Sequence, residues 1–416
     1  KRSFEIIEPV DSLLPLHDYQ RELVDIILNK LSSNEQRFLI QLPTGSGKTR
    51  TLLEAIVEHS NNTNIIDNQY SILWLAHSEE LCEQAIETMK KVWQNKACDS
   101  INVIRYWGGY SPDCVDVGGS FVVATFQKIY NALIRGDVLV GDIAKSTKLV
   151  VVDEAHKSIA TTYAKAINGI VNTDSSIKLI GLTATPGRGK EKEAENEKLS
   201  EFYNGILISP ELTCNPLEEL RNRGVLSRVE HYSIRSDVSI DVLQSIECAA
   251  EDGYSDVPST VLRKLSINSM RNKQILDIVV DEVSKGNPCL VFACTVEHAR
   301  LLSAGLNLRN IKAGCVSSDM RSGSRNKIIN GFRNSNIDVL INYGILSTGF
   351  DAPRIRTILI TRPTSSIVLY SQMIGRGLRG PKMGGSEVCK LIDIRDNFVN
   401  YGGVDDVYTY FANYWK

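Results

Sequence analysis

Gln41-Leu42-Pro43-Thr44-Gly45-Ser46-Gly47-Lys48-Thr49 follows an apolar run and sets two glycines, a lysine and hydroxyls where a phosphate could be held. Glycine lets the backbone N–H groups of Thr44, Gly45, Ser46 and Gly47 curl around phosphate oxygens, and a helix opening at Lys48 adds positive potential. Lys48 would reach the β- and γ-phosphates of ATP, and the Thr49 hydroxyl would ligate Mg²⁺. The strict spacing wants glycine at position 42, where Leu42 stands. A second cluster, Val150-Val151-Val152-Asp153-Glu154-Ala155-His156, ends a buried apolar run in two carboxylates. Asp153 would hold Mg²⁺ through water, and Glu154 would position and polarise the attacking water. Together they describe hydrolysis of a nucleoside triphosphate.

Such groups must be placed by a scaffold, and the chain supplies one in short apolar runs alternating with amphipathic stretches, the pattern of parallel α/β units. The first half carries strand-like runs at Arg37–Leu42, Ser71–Ala76, Ile101–Tyr106, Phe121–Thr125, Lys148–Asp153 and Ile177–Leu182. Helical stretches follow at Lys48–Glu58 and Glu79–Trp93. The second half repeats the rhythm at Pro288–Ala293, Gly314–Val316, Asp338–Asn342, Thr357–Thr361 and Glu387–Asp393. Between them, the charge run from Lys190 to Lys198 reads as a solvated loop or helix face. The polar stretch Ser236–Val261 reads as a connector leading into one helix over Leu262–Val283.

Asp153-Glu154-Ala155-His156 beside this P-loop resembles the superfamily 2 helicases, and further motifs follow in that family's order from about residue 16 to 395. The resemblance implies two tandem RecA-like lobes, each a mainly parallel sheet flanked by helices, with the ATP cleft between them. It divides the chain into lobe 1 at 1–225, a connector at 226–270, lobe 2 at 271–400 and a tail at 401–416. Gln20 in Leu16-His17-Asp18-Tyr19-Gln20 takes the place of the adenine contact, with His17 where arginine is common. His77, Gly108, Gly109 and Thr125 fall in the segments that contact nucleic acid. Thr183 and Thr185 fall in the motif that couples hydrolysis to strand movement, with His156 as a relay. In lobe 2, Thr295 and Thr348 are implied nucleic-acid contacts, and Gly349 and Asp351 are implied ATP contacts. Gln372, Arg376 and Arg379 lie in the last motif, where Gln372 couples and the arginines neutralise charge on the transferring phosphoryl group. Their three-residue spacing lets both arginines face one way if that segment is helical.

The nearest likeness is to RadD-like repair helicases and to the Res subunits of type III restriction enzymes, carried by Phe292–Ala299 and by the stretch from Ser347 to Arg379. DEAD-box RNA helicases fit less well, because they end the acidic motif in aspartate. The implied activity is that of an ATP-dependent helicase or translocase, acting on DNA more than RNA, in repair, restriction or phage defence. A nucleic-acid-gated ATPase switch that recruits an effector, such as a nuclease subunit, is the competing expectation. The tail after Asp393 is read as too short for a nuclease or zinc domain.

Several features take ordinary readings. Gly375-Arg376-Gly377-Leu378-Arg379-Gly380 spells a dinucleotide fingerprint, but it follows a helical rather than a strand pattern. Tyr106, Trp107 and Tyr110 flank the glycine pair and could stack on bases, although packing is the commoner use of such aromatics. His59, His231 and His298 read as structural. The 416 residues carry 47 basic and 49 acidic side chains, a balance that argues against a globally basic nucleic-acid binder but leaves a local track open. Nine cysteines without a CxxC pair read as free thiols of a reducing, cytoplasmic setting, and no apolar run is long enough to enter a membrane.

Overall fold

Aliphatic runs such as Leu149–Val152 form strands because their side chains are covered on both faces, which only a parallel sheet clad in helices allows. In the computed structural model the described residues are 4–7, 15–63, 70–112, 116–189, 192–210, 216–236, 257–317, 319–344, 352–364, 366–395 and 411–415. The chain divides into two compact units, one of residues 1–43, 47–214 and 408–416, the other of residues 44–46 and 215–407.

Among the described residues the first unit holds β1 (Phe4–Ile7), β2 (Arg37–Gln41), β3 (Ser71–Ala76), β4 (Ile101–Tyr106), β5 (Ser120–Thr125), β6 (Thr147–Asp153), β7 (Lys178–Thr183) and β8 (Leu207–Ile208). Their order across the sheet is β1-β4-β5-β3-β6-β7-β2-β8. Pairing is parallel except between β1 and β4. The register decides where the chemistry lands. Gln41 pairs with Thr183, Asp153 with Leu182, and Ala76 with Thr125, so the ends of β2, β7, β6, β3 and β5 share one carboxyl edge. Beneath that edge Leu73, Val150 and Val152 pack with Phe126, Ile167 and Ile170 of the covering helices.

The second unit holds β9 (Arg228–Arg235), β10 (Cys289–Phe292), β11 (Ala313–Ser317), β12 (Val339–Tyr343), β13 (Thr357–Ile360) and β14 (Val388–Arg395). They lie in the order β11-β12-β10-β13-β14-β9, all parallel. Val291, Val339, Ile341 and Leu359 pack against Ile275, Val279 and Leu302.

Three stretches differ from the sequence expectation. Within the expected connector, Arg228–Arg235 forms β9 and pairs along its whole length with β14; residues 237–256 lie outside the described ones. The expected helix over Leu262–Val283 is two helices, Ser259–Ile267 and Ser269–Ser284, because the Asn268 side chain accepts the Arg271 N–H at 2.9 Å and starts a new helix. The charge run is only partly solvated. Helix Glu193–Phe202 buries Asn196 and Leu199, and Glu195 accepts from Arg188 Nε at 3.0 Å.

Cys82, Cys98, Cys289, Cys294, Cys315 and Cys389 are free thiols, and the other three cysteines lie outside the described residues. Among the described residues no helix is long and apolar enough to cross a membrane.

Candidate functional site

The loop after β2 turns through two left-handed glycines, Gly45 at φ +87° and Gly47 at φ +86°. A side chain is disfavoured at both, so the glycines are required by backbone shape. Leu42 N–H donates to Thr183 O at 3.1 Å, which ties the loop to the neighbouring strand, so leucine in place of the strict glycine leaves the loop intact. Helix Lys48–Thr63 begins at the lysine itself, whose Nζ donates to Pro43 O at 3.4 Å across the loop. Thr51 locks the first turn by donating from Oγ1 to Gly47 O at 3.1 Å.

Gln20 stands close by and is 2% exposed. Its Nε2 donates to Thr51 Oγ1 at 3.1 Å, and its Oε1 accepts the His17 N–H at 3.0 Å. The amide therefore joins the start of helix Asp18–Ser32 to the first turn of the phosphate-loop helix. This explains glutamine chemically at that place: one side chain donates and accepts at once.

Asp153 closes β6 and accepts the Glu154 N–H at 3.0 Å. Glu154 is held at φ +54°, a left-handed conformation rare for a residue with a side chain. Such a conformation costs roughly 1–3 kcal/mol and marks a position that surrounding structure enforces. His156 is buried, and burial, followed by the Lys157, Arg188 and Lys48 charges, holds its imidazole well below the usual histidine range. The ring is neutral. Its Nδ1 lies 3.2 Å from Thr183 Oγ1 and 3.4 Å from Glu154 Oε2. Thr183 commits its own O–H to Thr185 O at 2.9 Å, so its oxygen accepts and the imidazole proton sits on Nδ1. The Glu154 carboxylate is thus a close neighbour of that nitrogen and not an ion pair with it, since the ring is neutral. Thr185 N–H returns to Thr183 Oγ1 at 3.1 Å, and Arg188 Nη1 donates to His156 O at 3.3 Å.

Asp153 and Thr49 offer hard oxygen donors, the kind Mg²⁺ takes together with phosphate oxygens and water. Among the described residues no group of three or more His, Cys, Asp or Glu could hold a metal alone.

The first-unit residues expected to meet nucleic acid cluster at the ends of β3, β4 and β5. Thr125 caps helix Phe126–Arg135 by accepting the Lys128 N–H at 3.4 Å, which leaves its hydroxyl proton to donate. Gly108 is exposed, at φ +50°, and a Cβ there would stand 2.5 Å from Glu79 Oε1; Gly109 has open space around it. Tyr106 and Trp107 are buried and serve as packing, while Tyr110 meets Trp107 edge-on at 5.3 Å. Burial, then the Lys157 charge, holds His77 down at about 3, so it meets any phosphate as a neutral group. Lys128, not anticipated from sequence, donates to Gly108 O at 3.3 Å and lies 5.2 Å from the Tyr106 ring centre. Its signal was its place three residues after the capping threonine.

In the second unit, Thr295 caps helix Val296–Asn307 by accepting the His298 N–H at 3.1 Å. His298 is structural: Nδ1 accepts the Cys294 N–H at 3.1 Å, so Nε2 carries the proton and donates to Asn272 Oδ1 at 2.9 Å. His231 does have a partner, Asp393 Oδ2 at 2.7 Å, which also accepts from Tyr370 OH at 2.6 Å. Thr348, Gly349 and Asp351 lie outside the described residues. Gln372 is 7% exposed, and its buried Nε2 has no hydrogen-bond partner among the described residues.

Arg376 and Arg379 do not share a helix. Helix Ile367–Ile374 stops before them, and Arg379 sits in a β-bridge with Leu226. Its carbonyl accepts from Ser227 Oγ at 2.6 Å and from Ser386 N–H at 3.0 Å, which straightens the chain. The glycines of this segment are packing glycines. A Cβ at Gly377 would meet Cys389 Sγ at 2.5 Å, and one at Gly380 would meet Gly224 O at 2.4 Å.

A parallel sheet bearing a glycine phosphate loop and an acidic strand end, followed by a second parallel sheet, defines a P-loop ATPase built of two RecA-like lobes. Residues 13–188 match the family described as type III restriction enzyme, res subunit, and residues 270–380 match the helicase conserved C-terminal domain. The chain belongs to the superfamily 2 helicases, a class of ATP-hydrolysing enzymes. It is 28% identical to the putative ATP-dependent helicase IRC3 of Saccharomyces cerevisiae, over 90% of this chain and 51% of that protein. It is 26% identical to the putative mitochondrial ATP-dependent helicase irc3 of Schizosaccharomyces pombe, over 92% of this chain and 58% of that one. The chain thus spans little more than half the length of these relatives. Among solved structures, the helicase MrfA bound to DNA matches with a TM-score of 0.65 at 15% identity, over 99% of this chain and 56% of that one. S. cerevisiae Dbp5 bound to RNA matches with a TM-score of 0.60 at 15% identity, over 96% of this chain and 92% of that one.

Proposed function

We propose that this chain is an ATP-driven motor that moves along a nucleic-acid strand, DNA in preference to RNA. The observation that carries the reading is the bridge from Glu154 through His156 Nδ1 to Thr183 Oγ1, which ties the water-polarising carboxylate to the coupling loop. Lys48 and the loop N–H groups hold the β- and γ-phosphates, and Glu154 orients the water that attacks. Mg²⁺, held by Thr49 and Asp153, would neutralise charge on the phosphates when bound. Gln20 reads the adenine edge, and Arg376 and Arg379 act as arginine fingers by their place in the last motif. From the second unit, Thr295, Thr348, Gly349, Asp351 and Gln372 keep the roles the family resemblance gives them.

DNA is preferred because the first half matches a restriction-enzyme family, and the EcoKI endonuclease subunit of Escherichia coli is 24% identical over 95% of this chain. A role in DNA repair, restriction or phage defence follows from the same likeness. RNA is the competing substrate, since a probable RNA helicase of Methanocaldococcus jannaschii is 22% identical over 86% of this chain. The free thiols of the described residues support a reducing compartment such as the cytoplasm.

The deciding experiment measures ATPase turnover with single- and double-stranded DNA and RNA over a salt series, beside displacement of a protein roadblock from the strand. The motor reading expects stimulation that weakens steeply with salt, together with ATP-dependent displacement. Stimulation without displacement would instead assign a gated switch that recruits an effector. No stimulation by any nucleic acid would overturn both.

A further inference from the structure

The loop Thr183–Arg188 is gripped on one side by Gln41 and His156. Gln41 Nε2 donates to Ala184 O at 3.5 Å, Thr183 meets His156, and Arg188 Nη1 reaches His156 O. Its other side is covered by residues more than two hundred positions later in sequence. Phe411 is fully buried, and its ring lies so close to Gly187 that a Cβ there would stand 2.0 Å from Phe411 Cδ1. Trp415 Nε1 donates to Pro186 O at 2.9 Å, and its side chain packs on the first-unit core. A 3₁₀ turn, Ala412–Tyr414, joins the two aromatics. Gly187 is glycine here because an aromatic ring occupies the place of its side chain.

We propose that Phe411 and Trp415 are positioning residues for the coupling loop: together they form its floor and hold Thr183 and Thr185 against His156. The proposal rests on the reading of that loop as the coupling element. A residue pair whose contacts run to Pro186 and Gly187 acts by limiting where the loop can move. Removing the floor leaves ATP binding in place and lowers the turnover that depends on loop movement.

The test compares Phe411→Ala, Trp415→Phe, Gly187→Ala and the double variant Gly187→Ala/Phe411→Ala in the full chain. Readouts are KM for ATP, nucleic-acid-stimulated kcat, roadblock displacement per ATP and melting temperature. KM should stay within about twofold of wild type while stimulated kcat and displacement per ATP fall roughly 2- to 30-fold. Trp415→Phe keeps a ring but loses the N–H donor, so it gives the smallest fall and carries the test if Phe411→Ala melts early. The double variant should be no worse than Phe411→Ala, because loss of the ring makes room for the new methyl. Additive losses, or wild-type kcat and displacement in Phe411→Ala and Trp415→Phe, overturn the proposal. A Glu154→Gln control run alongside separates the two readings. If that control still turns over, the ATP-site reading fails; if it is dead while the aromatic variants match wild type, only the floor fails.

Discussion

His156 Nδ1 stands 3.2 Å from Thr183 Oγ1 and 3.4 Å from Glu154 Oε2, so one neutral ring nitrogen spans a carboxylate at the end of β6 and a hydroxyl at the end of β7. The strands are adjacent and parallel, and Asp153 pairs with Leu182, so the span is built into the register. Thr183→Val keeps the side-chain shape and removes the acceptor. Losing one such hydrogen bond is worth about 1 kcal/mol, or roughly fivefold. We expect ATP to bind normally and displacement per ATP to fall by that factor. Unchanged displacement per ATP would show that the bridge couples nothing.

Lys48→Ala and Glu154→Gln test the ATP site directly. Both should keep the melting temperature, because neither side chain is part of the apolar core. Glu154→Gln retains shape and loses the charge that we propose polarises water, so turnover should drop by about 10² or more. Steady-state ATPase with excess nucleic acid checks both, and near-normal rates in either would remove that residue from the reaction.

The two adjacent glycines at 108 and 109 should respond differently to the same change. Gly108→Ala places a methyl 2.5 Å from Glu79 Oε1 on a left-handed backbone, whereas Gly109→Ala meets open space. The first should cost about 1–3 kcal/mol of local stability and weaken nucleic-acid stimulation; the second should do neither. Thermal melts and the nucleic-acid concentration for half-maximal ATPase decide it. Equal behaviour of the two variants would contradict the geometry.

His298 gives the fold a predictable response to acid. Burial, with the nearby Arg271 charge, holds its pKa at about 3, against 6.5 in the unfolded chain. The unfolded chain therefore takes up the proton first. Stability is complete above about pH 6.5 and declines as pH falls toward 3, by roughly 1.4 kcal/mol per pH unit for this site. In urea melts at pH 7 and pH 5, His298→Gln should be weaker than wild type at pH 7 and lose less between the two. Parallel losses would mean that another group sets the slope.

Most strands are legible in sequence, because a buried parallel strand is a continuous apolar run, and Ser71–Ala76 appears with the bounds expected of it. β9 is not legible. It is an edge strand with mostly exposed side chains, Arg228, Glu230, His231 and Tyr232 among them, and only its pairing with β14 reveals it. The break at Asn268 hides for a different reason, since two helices with one residue between them share a single apolar rhythm. The phosphate loop and acidic pair are legible because their chemistry dictates contiguous residues. Lys128 and the Phe411–Gly187 contact escape notice because they join residues that only the fold brings together.

Ser227 donates from one hydroxyl toward the carbonyls of both Arg379 and Ser386, at 2.6 Å each, across sequence separations of 152 and 159. These are among the most non-local contacts of the second sheet, and closing so long a loop is slow compared with forming any helix. During synthesis β9 emerges long before β14, its neighbour in the sheet among the described residues. The strand that steadies Arg379 must wait for it. A nascent chain ending short of β14 would therefore contain the residues of the first sheet while the backbone seat of Arg379 was still unmade.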